Sequence, residues 1–202
     1  MLGKGLINKG AHSRRNNRGR LLAFLLVLVT TLASAGADGV FRIRSGAVSL
    51  HEGVYYLDAK VEYHLSEVAR EALDSGVPLY VVLEIKVIQP HWWSLWWEDV
   101  VAELTQRYRL QYHALSQRYV LTAINSGERH SFRRLRAMLV ELGNVQGVPV
   151  IDAELLQAPA QYLVRARARL DLDALPRPLR TVVYLSPQWR LVSDWQQWQL
   201  GS

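Results

Sequence analysis

The sequence predicts a mainly β domain, an antiparallel sandwich-like fold of about seven strands with two short helices. Long segments alternate apolar and polar residues with a period of two, which is typical of strands that have one buried and one solvated face. Such strands pair antiparallel, because parallel strands are usually apolar on both faces. The 202 residues include no cysteine, so no disulfide framework defines the fold.

Four segments alternate most clearly, and three more do so weakly. The longest is 100–113, where the even positions are mainly apolar and the odd positions mainly polar. Its length and regularity predict a long strand with one face in the core. The strong predicted strands are 54–65, 79–89, 100–113 and 160–173, and the weak ones are 40–50, 117–125 and 189–200.

Two short helices interrupt the strands. Ser66 is suited to cap a helix that runs through Asp74 and ends at Gly76. Ser131 is suited to cap a second helix, through Leu142, whose apolar residues share one helical face. Segments 144–149 and 175–178 are rich in turn-forming residues and are predicted to be loops.

Residues 1–35 have the pattern of a secretory signal peptide. Basic residues precede an apolar run from Leu21 to Ala33, and Ala33-Ser34-Ala35 offers a small-residue cleavage site. The alternative is an uncleaved signal anchor that holds the protein in the inner membrane. In both cases residues 36–202 form a single β-rich domain in the periplasm, exported by the general secretory route. The basic residues of the leader are Lys4, Lys9, Arg14, Arg15, Arg18 and Arg20.

The basic residues of the leader also account for the net charge of the chain. The whole chain has 24 basic and 18 acidic residues, and the leader contributes six basic residues and no acidic one. The predicted domain is therefore formally neutral. Nucleic-acid binding relies on neutralising phosphates and usually leaves a net basic footprint, so a nucleic-acid partner is not expected.

A tryptophan cluster lies between two strongly predicted strands. It holds four of the seven tryptophans of the chain. If it is exposed, it suits contact with a protein partner, a glycan or the membrane surface. If it folds back, it closes one end of the sandwich, since tryptophan is often buried. The cluster consists of Trp92, Trp93, Trp96 and Trp97.

Two strands have rows of arginines on their polar faces. Arg107 and Arg109 share one face, and Arg165, Arg167 and Arg169 share another. If the two strands are neighbours, the arginines form a face for an anionic group or an acidic partner. The alternative is a solvated face on which the arginines pair with acidic residues of neighbouring strands. The acidic candidates are Glu62, Glu84, Glu103, Asp171 and Asp173.

Further arginines surround the start of the second predicted helix. Cations at a helix N-terminus oppose the helix dipole, so they need acidic neighbours or an anionic ligand. Acidic neighbours are the favoured interpretation. These residues are Arg129, Arg133, Arg134 and Arg136, with His130 among them.

The sequence has no recognisable catalytic or metal-binding motif. Its histidines lack the spacing of metal ligands, and no nucleophile elbow or phosphate-binding glycine loop is present. We therefore expect a protein that is not an enzyme and that uses no cofactor and no metal. Ser116, Asp152 and Asp194 are isolated catalytic candidates, since a triad is defined by geometry and not by order in the chain.

Three stretches of the chain resemble a proteobacterial family of exported proteins known as domain of unknown function 4390. They are RYRLQYHALSQRYV at 107–120, RLDL with LPRPLR at 169–180, and WRLVSDWQQW at 189–198. The resemblance covers about residues 41–200. It implies a signal or anchor, a β-rich envelope domain, and a gene often beside a membrane sensor kinase and its response regulator. It implies no catalytic residues.

These observations favour a non-enzymatic binding domain of the cell envelope, and the resemblance suggests that it is an accessory to a membrane sensor kinase through the ectodomain of that kinase. A small-molecule or cell-wall glycan binder is the alternative, with Trp195 and Trp198 as stacking residues. Those two tryptophans have opposite parity, so they are predicted to lie on opposite faces of the sheet. A hydrolase of unknown class is the third hypothesis.

Overall fold

Antiparallel strands build both sheets of the protein. The computed structural model describes residues 39–90, 98–157, 160–175, 183 and 186–200, which belong to one compact unit. Nine strands lie within these residues. They are β1 (Val40–His51), β2 (Val54–His64), β3 (Leu79–Pro90), β4 (Glu98–His113), β5 (Arg118–Ala123), β6 (Arg129–Phe132), β7 (Asn144–Asp152), β8 (Leu163–Leu170) and β9 (Gln196–Gln199).

The strands form a three-stranded and a six-stranded sheet. The smaller sheet has the order β1-β2-β7, and the larger has the order β6-β5-β4-β3-β8-β9. Every pair of neighbouring strands in these two sheets is antiparallel, and residues of both sheets share one hydrophobic core. The predicted mainly β, antiparallel, sandwich-like fold is therefore confirmed, with nine strands in place of the predicted seven.

Strand β3 lies at the centre of the larger sheet. It pairs with β4 on one side and with β8 on the other, so both of its edges are satisfied. Its odd-numbered side chains face the smaller sheet and are fully buried, which is what the predicted alternation requires. These residues are Leu79, Val81, Leu83, Ile85 and Val87.

Two helices lie beside the sheets. Helix α1 spans Glu67–Asp74, and the Ser66 hydroxyl accepts a hydrogen bond from the backbone N–H of Ala69 at 3.4 Å. The predicted cap is therefore present. Helix α2 spans Leu135–Leu142 and buries Met138 and Leu142. Two three-residue 3-10 helices span Ala153–Leu155 and Pro187–Trp189.

The predicted start of the second helix is wrong. Ser131 is not a cap but lies in β6, where it pairs with Val120 of β5. Its hydroxyl and carbonyl oxygens accept hydrogen bonds from the Arg118 side chain. Residues 129–132 therefore pair with β5 and are not helical, and the helix begins only at Leu135. The capping pattern around Ser131 could not indicate this strand pairing, because the partner strand β5 lies earlier in the chain.

The predicted loop at 144–149 is also wrong, since these residues begin β7. Strand β7 pairs with β2, and its buried residues include Val145, Val148 and Val150. The interval of three between Val145 and Val148 breaks a period of two. Gly147 lies between them with φ of 58°, and the register of the β2–β7 pair shifts beside it. This irregularity hides the strand from a periodicity argument.

The hydroxyl of Tyr119 links the larger sheet to α1. It donates a hydrogen bond to Asp74 Oδ1 at 2.7 Å, and burial together with this bond raises the pKa of Tyr119 to about 12. We expect Tyr119→Phe to lower the free energy of unfolding by about 1 kcal/mol, the usual net contribution of one hydrogen bond. Urea denaturation measures this loss. A matched Tyr56→Phe variant is expected to change stability little, because the Tyr56 hydroxyl has no hydrogen bond to a described residue and its ring contacts His51.

No helix among the described residues is long and apolar enough to cross a membrane. The predicted signal peptide or anchor at 1–35 lies outside the described residues.

Candidate functional site

The two arginine rows lie on the same surface, on either side of β3. We call this surface the outer face; it is the side of β4, β3 and β8 that points away from the smaller sheet. In the register of these strands, Val82 of β3 is opposite Arg107 on one side and Arg169 on the other. Glu84 is opposite Arg167. The two arginine strands are therefore not direct neighbours, as the predicted arginine face required, but flank β3, and their arginines still lie on one surface.

Glu84 holds two of the arginines. Its Oε2 accepts hydrogen bonds from Arg167 Nη2 at 2.6 Å and Nε at 3.1 Å, and its Oε1 accepts one from Arg169 Nε at 2.6 Å. The Glu84 side chain is only 12% exposed. Burial by itself would raise the pKa of this carboxyl, but the hydrogen bonds from Arg169 and Arg167 outweigh it and hold the pKa below its ordinary value. Glu84 is therefore ionised at neutral pH.

Asp171, just beyond β8, is the second carboxylate on this surface. Its Oδ2 is 3.2 Å from Arg107 Nη2, and its Oδ1 is 3.7 Å from Arg169 Nη1. The residue is buried, and its backbone N–H donates to the carbonyl of Tyr80 at 2.7 Å. Glu84 and Asp171 together bind Arg107, Arg167 and Arg169 across three strands. Pairing of arginines with acidic neighbours, one of the two predicted interpretations, is thus present at these three positions.

Trp195 forms the aromatic edge of the outer face. The guanidinium of Arg167 lies 4.5 Å from the centre of its ring, and Lys86 Nζ lies 5.9 Å away, so both cations contact the π face. The ring remains 37% exposed. Trp198 packs on the opposite side of the sheet, where a Cβ on Gly46 of β1 would come within 2.4 Å of its ring. The two tryptophans thus lie on opposite faces, as their parity predicts.

Positive charge exceeds negative charge on the outer face even where ion pairs form. Arg165 Nε donates to Gln197 at 3.2 Å, and Lys86 Nζ is 3.3 Å from Glu103. Arg109 has no carboxylate partner among the described residues. The cationic residues of this surface are Lys86, Arg107, Arg109, Arg165, Arg167 and Arg169, against the carboxylates Glu84, Glu103, Asp171 and Asp173.

The remaining predicted site residues are the tryptophan cluster and three isolated catalytic candidates. The tryptophan cluster of Trp92, Trp93, Trp96 and Trp97 falls outside the described residues. The catalytic candidates are spread over the fold, and within the described ranges no hydrogen bond joins any two of them. Ser116 lies in the β4–β5 turn, Asp152 ends β7, and Asp194 precedes β9.

Metal ligands do not come together in the described part of the chain. No group of three histidine or acidic side chains there is arranged to hold a metal ion. His64 is exposed and His113 is half-buried on the outer face, while His130 contacts Glu128 at 2.8 Å.

A groove of about 580 Å³ lies between the end of β2 and helix α2. Its walls are mainly apolar and include Leu135, Leu139 and Val140, while charged residues stand at its rim. Val140 is 67% exposed. No local sequence pattern predicts this groove, because it forms where helix α2 lies beside the end of β2. The charged residues of the rim are Glu62, Arg70 and Arg136.

The fold and the outer face define a sandwich-like β domain with a surface of ordered arginines, bordered by an exposed tryptophan. The chain belongs to the family described as Domain of unknown function (DUF4390), whose model matches residues 39–199. No curated protein and no solved structure matches the chain.

Proposed function

We propose that this protein is a non-enzymatic binding domain of the cell envelope and that its outer face binds an acidic protein partner. The arrangement of the arginines carries this proposal. Arg107, Arg167 and Arg169 are fixed by carboxylates below them, and the guanidinium of Arg167 also stacks on Trp195. Guanidinium groups that are already ordered lose less conformational entropy when they bind a carboxylate.

Two properties of the outer face favour a protein partner over a free anion. Its cations extend over three strands, which matches an extended acidic surface better than a single small ion. An exposed tryptophan beside arginines is also typical of interface residues that contribute strongly to binding. The resemblance to exported proteins whose genes lie beside sensor kinases suggests the ectodomain of a membrane sensor kinase as the partner.

Photo-crosslinking in the native host tests this proposal. A photo-reactive amino acid replaces Trp195, and the captured species are identified by mass spectrometry. We expect a discrete envelope protein whose purified ectodomain binds the chain with an affinity that falls as ionic strength rises. Crosslinks confined to the chain itself would contradict the proposal.

Neutralising two arginines tests the same interface quantitatively. We expect Arg107→Gln/Arg167→Gln to weaken binding of the captured partner about tenfold or more, because charged contacts to the partner are lost. Arg42→Gln/Arg44→Gln on β1 of the smaller sheet is the matched control, with the same change in net charge. Equal losses in the two variants would mean that net charge, and not the outer face, determines binding.

The groove between β2 and α2 favours a second function, the binding of a small apolar molecule. Its volume suits a drug-sized ligand, and apolar walls with a few polar groups at the rim are typical of ligand pockets. Val140→Arg would fill this groove without disturbing the core, since Val140 is exposed. A small apolar molecule that raises the Tm of the natural chain but not of Val140→Arg would support this function.

A further inference from the structure

A line of opposed polar side chains extends from β3 across β4 and β5 to β6, on the same side of the larger sheet as the outer face. Arg109 of β4 is opposite Tyr80 of β3 and Thr122 of β5, and Thr122 is opposite Arg129 of β6. Directly opposed residues of an antiparallel sheet project from the same face. We call Arg109, Thr122 and Arg129 the oxyanion row.

The hydrogen-bonding groups of the oxyanion row are incompletely satisfied. Arg109 Nε and Thr122 Oγ1 are both buried and have no hydrogen-bond partner in the structure. Thr122 as a whole is only 7% exposed. Buried polar atoms in native proteins nearly always have a partner, supplied by protein, water or ligand. Two such atoms on directly opposed residues indicate a place where a group from outside the chain completes the bonding.

The charges of the oxyanion row point to the same conclusion. Neither Arg109 nor Arg129 has a carboxylate partner among the described residues. Glu84 and Asp171 are already engaged with other arginines. Glu128 precedes Arg129 in the chain. Its carboxylate contacts His130, which lies on the other face of β6 from Arg129. Among the described residues, the two guanidinium groups therefore have no carboxylate as a counter-ion.

From these contacts we infer that the oxyanion row binds an oxyanion, a carboxylate or phosphoryl group, between Arg109 and Arg129. Neighbouring strands lie roughly 4.8 Å apart, so two strand spacings place the arginine backbones about 10 Å from each other. Side chains of arginine length converge readily on an anion across that interval, and both guanidinium groups donate to it. The inference rests on the proposed function: the row is where an acidic group of the partner is anchored.

Nuclear magnetic resonance of the full chain, labelled with ¹⁵N at the arginine side chains, tests this inference. Inorganic phosphate and a glutamate-rich peptide serve as separate probes, and Arg109→Lys and Arg129→Lys assign the two resonances by their loss. We expect the Nε–Hε signals of Arg109 and Arg129 to shift saturably. We also expect Arg129→Gln to weaken the response of Arg109 about tenfold, since one of two charge-assisted contacts is removed.

Controls separate a site from general attraction of anions. The signal of Arg42, exposed on the smaller sheet, is expected to stay unchanged. Thr122→Val, of nearly the same shape, is expected to weaken binding several-fold. A response to both probes supports the shared oxyanion chemistry, while a response to one identifies phosphoryl or carboxylate as the source. A lack of saturable shift with both probes, or an equal shift of Arg42, would overturn the inference.

Partner binding distinguishes a failure of the oxyanion row from a failure of the proposed function. The comparison uses Arg109→Gln/Arg129→Gln and Arg107→Gln/Arg167→Gln with the captured partner. If only the second variant weakens binding, the outer face binds the partner and the inference about the row is wrong. If neither variant weakens binding, the proposed function is wrong as well.

Discussion

Gly143→Ala is expected to lower the free energy of unfolding by about 3 kcal/mol, the upper part of the range for overpacked sites. A Cβ at this position would lie 2.0 Å from the carbonyl oxygen of Val61, which is backbone and has little freedom to move. The φ of Gly143 is −79°, a value that alanine adopts without strain. The expected loss is therefore caused by the steric clash and not by backbone conformation.

The position of Gly143 explains why the clash would spread. The residue joins α2 to β7, and its carbonyl accepts a hydrogen bond from the N–H of Val61 in β2 at 2.9 Å. Relieving the clash would separate β2 from β7 or displace α2, which buries Met138 and Leu142 in the core. Either movement costs packing in the smaller sheet.

Urea denaturation of Gly143→Ala measures the loss, and Gly53→Ala is its control. Gly53 has φ of 81°, and a Cβ there would meet nothing within 4 Å. Its replacement costs about 1 kcal/mol from backbone conformation alone. If the two variants lost equal stability, the close approach of Gly143 to Val61 would not be the cause.

The faces of the strands could be predicted from the sequence, but their neighbours could not. A period of two places Arg107 and Arg169 on polar faces, and it separates Trp195 from Trp198. That β3 lies between the arginine strands, so that Glu84 meets Arg167 and Arg169, depends on strand order. Strand order is set by tertiary packing, and no local pattern encodes it.

Local sequence patterns do not predict strands β6 and β7, for two different reasons. In strand β7, the alternation of apolar and polar residues is interrupted at Gly147, which has a positive φ. Periodicity therefore does not indicate this strand. Strand β6 is four residues long and contains His130 and Ser131, which have no strong β propensity. Its formation depends on pairing with β5. The sequence does not predict the oxyanion row either, because its pattern places Arg129 at the start of a helix and not in a strand beside β5.

Glu84→Gln is expected to lower the free energy of unfolding by about 2 kcal/mol at pH 7, the range for hydrogen bonds to charged groups. The substitution keeps the shape of the side chain but removes the charge shared by Arg167 and Arg169. Thermal or urea denaturation measures the change. The control is Glu103→Gln on the same face, where an exposed pair with Lys86 contributes less than about 1 kcal/mol.

The pH dependence of stability gives this prediction a distinct signature. The pKa of Glu84 in the folded chain lies below its ordinary value of 4.5. The stabilisation from its charge is therefore fully present above that value and is lost as the pH falls through the folded pKa. We expect the stability difference between the natural chain and Glu84→Gln to shrink over this acidic range. A difference that stays constant down to pH 2 would mean that the negative charge of Glu84 is not what stabilises the site.

The same variant distinguishes two ways in which the outer face could bind an acidic partner. Glu84→Gln makes the face more positive, so binding governed by net charge would become tighter. It also releases Arg167 and Arg169 from their fixed positions, so binding governed by ordered guanidinium groups would become weaker. We expect weaker binding, by about tenfold, measured with the captured ectodomain at constant ionic strength. Tighter binding would show that the charge of Glu84 repels the acidic partner, and that its ordering of the arginines does not strengthen binding.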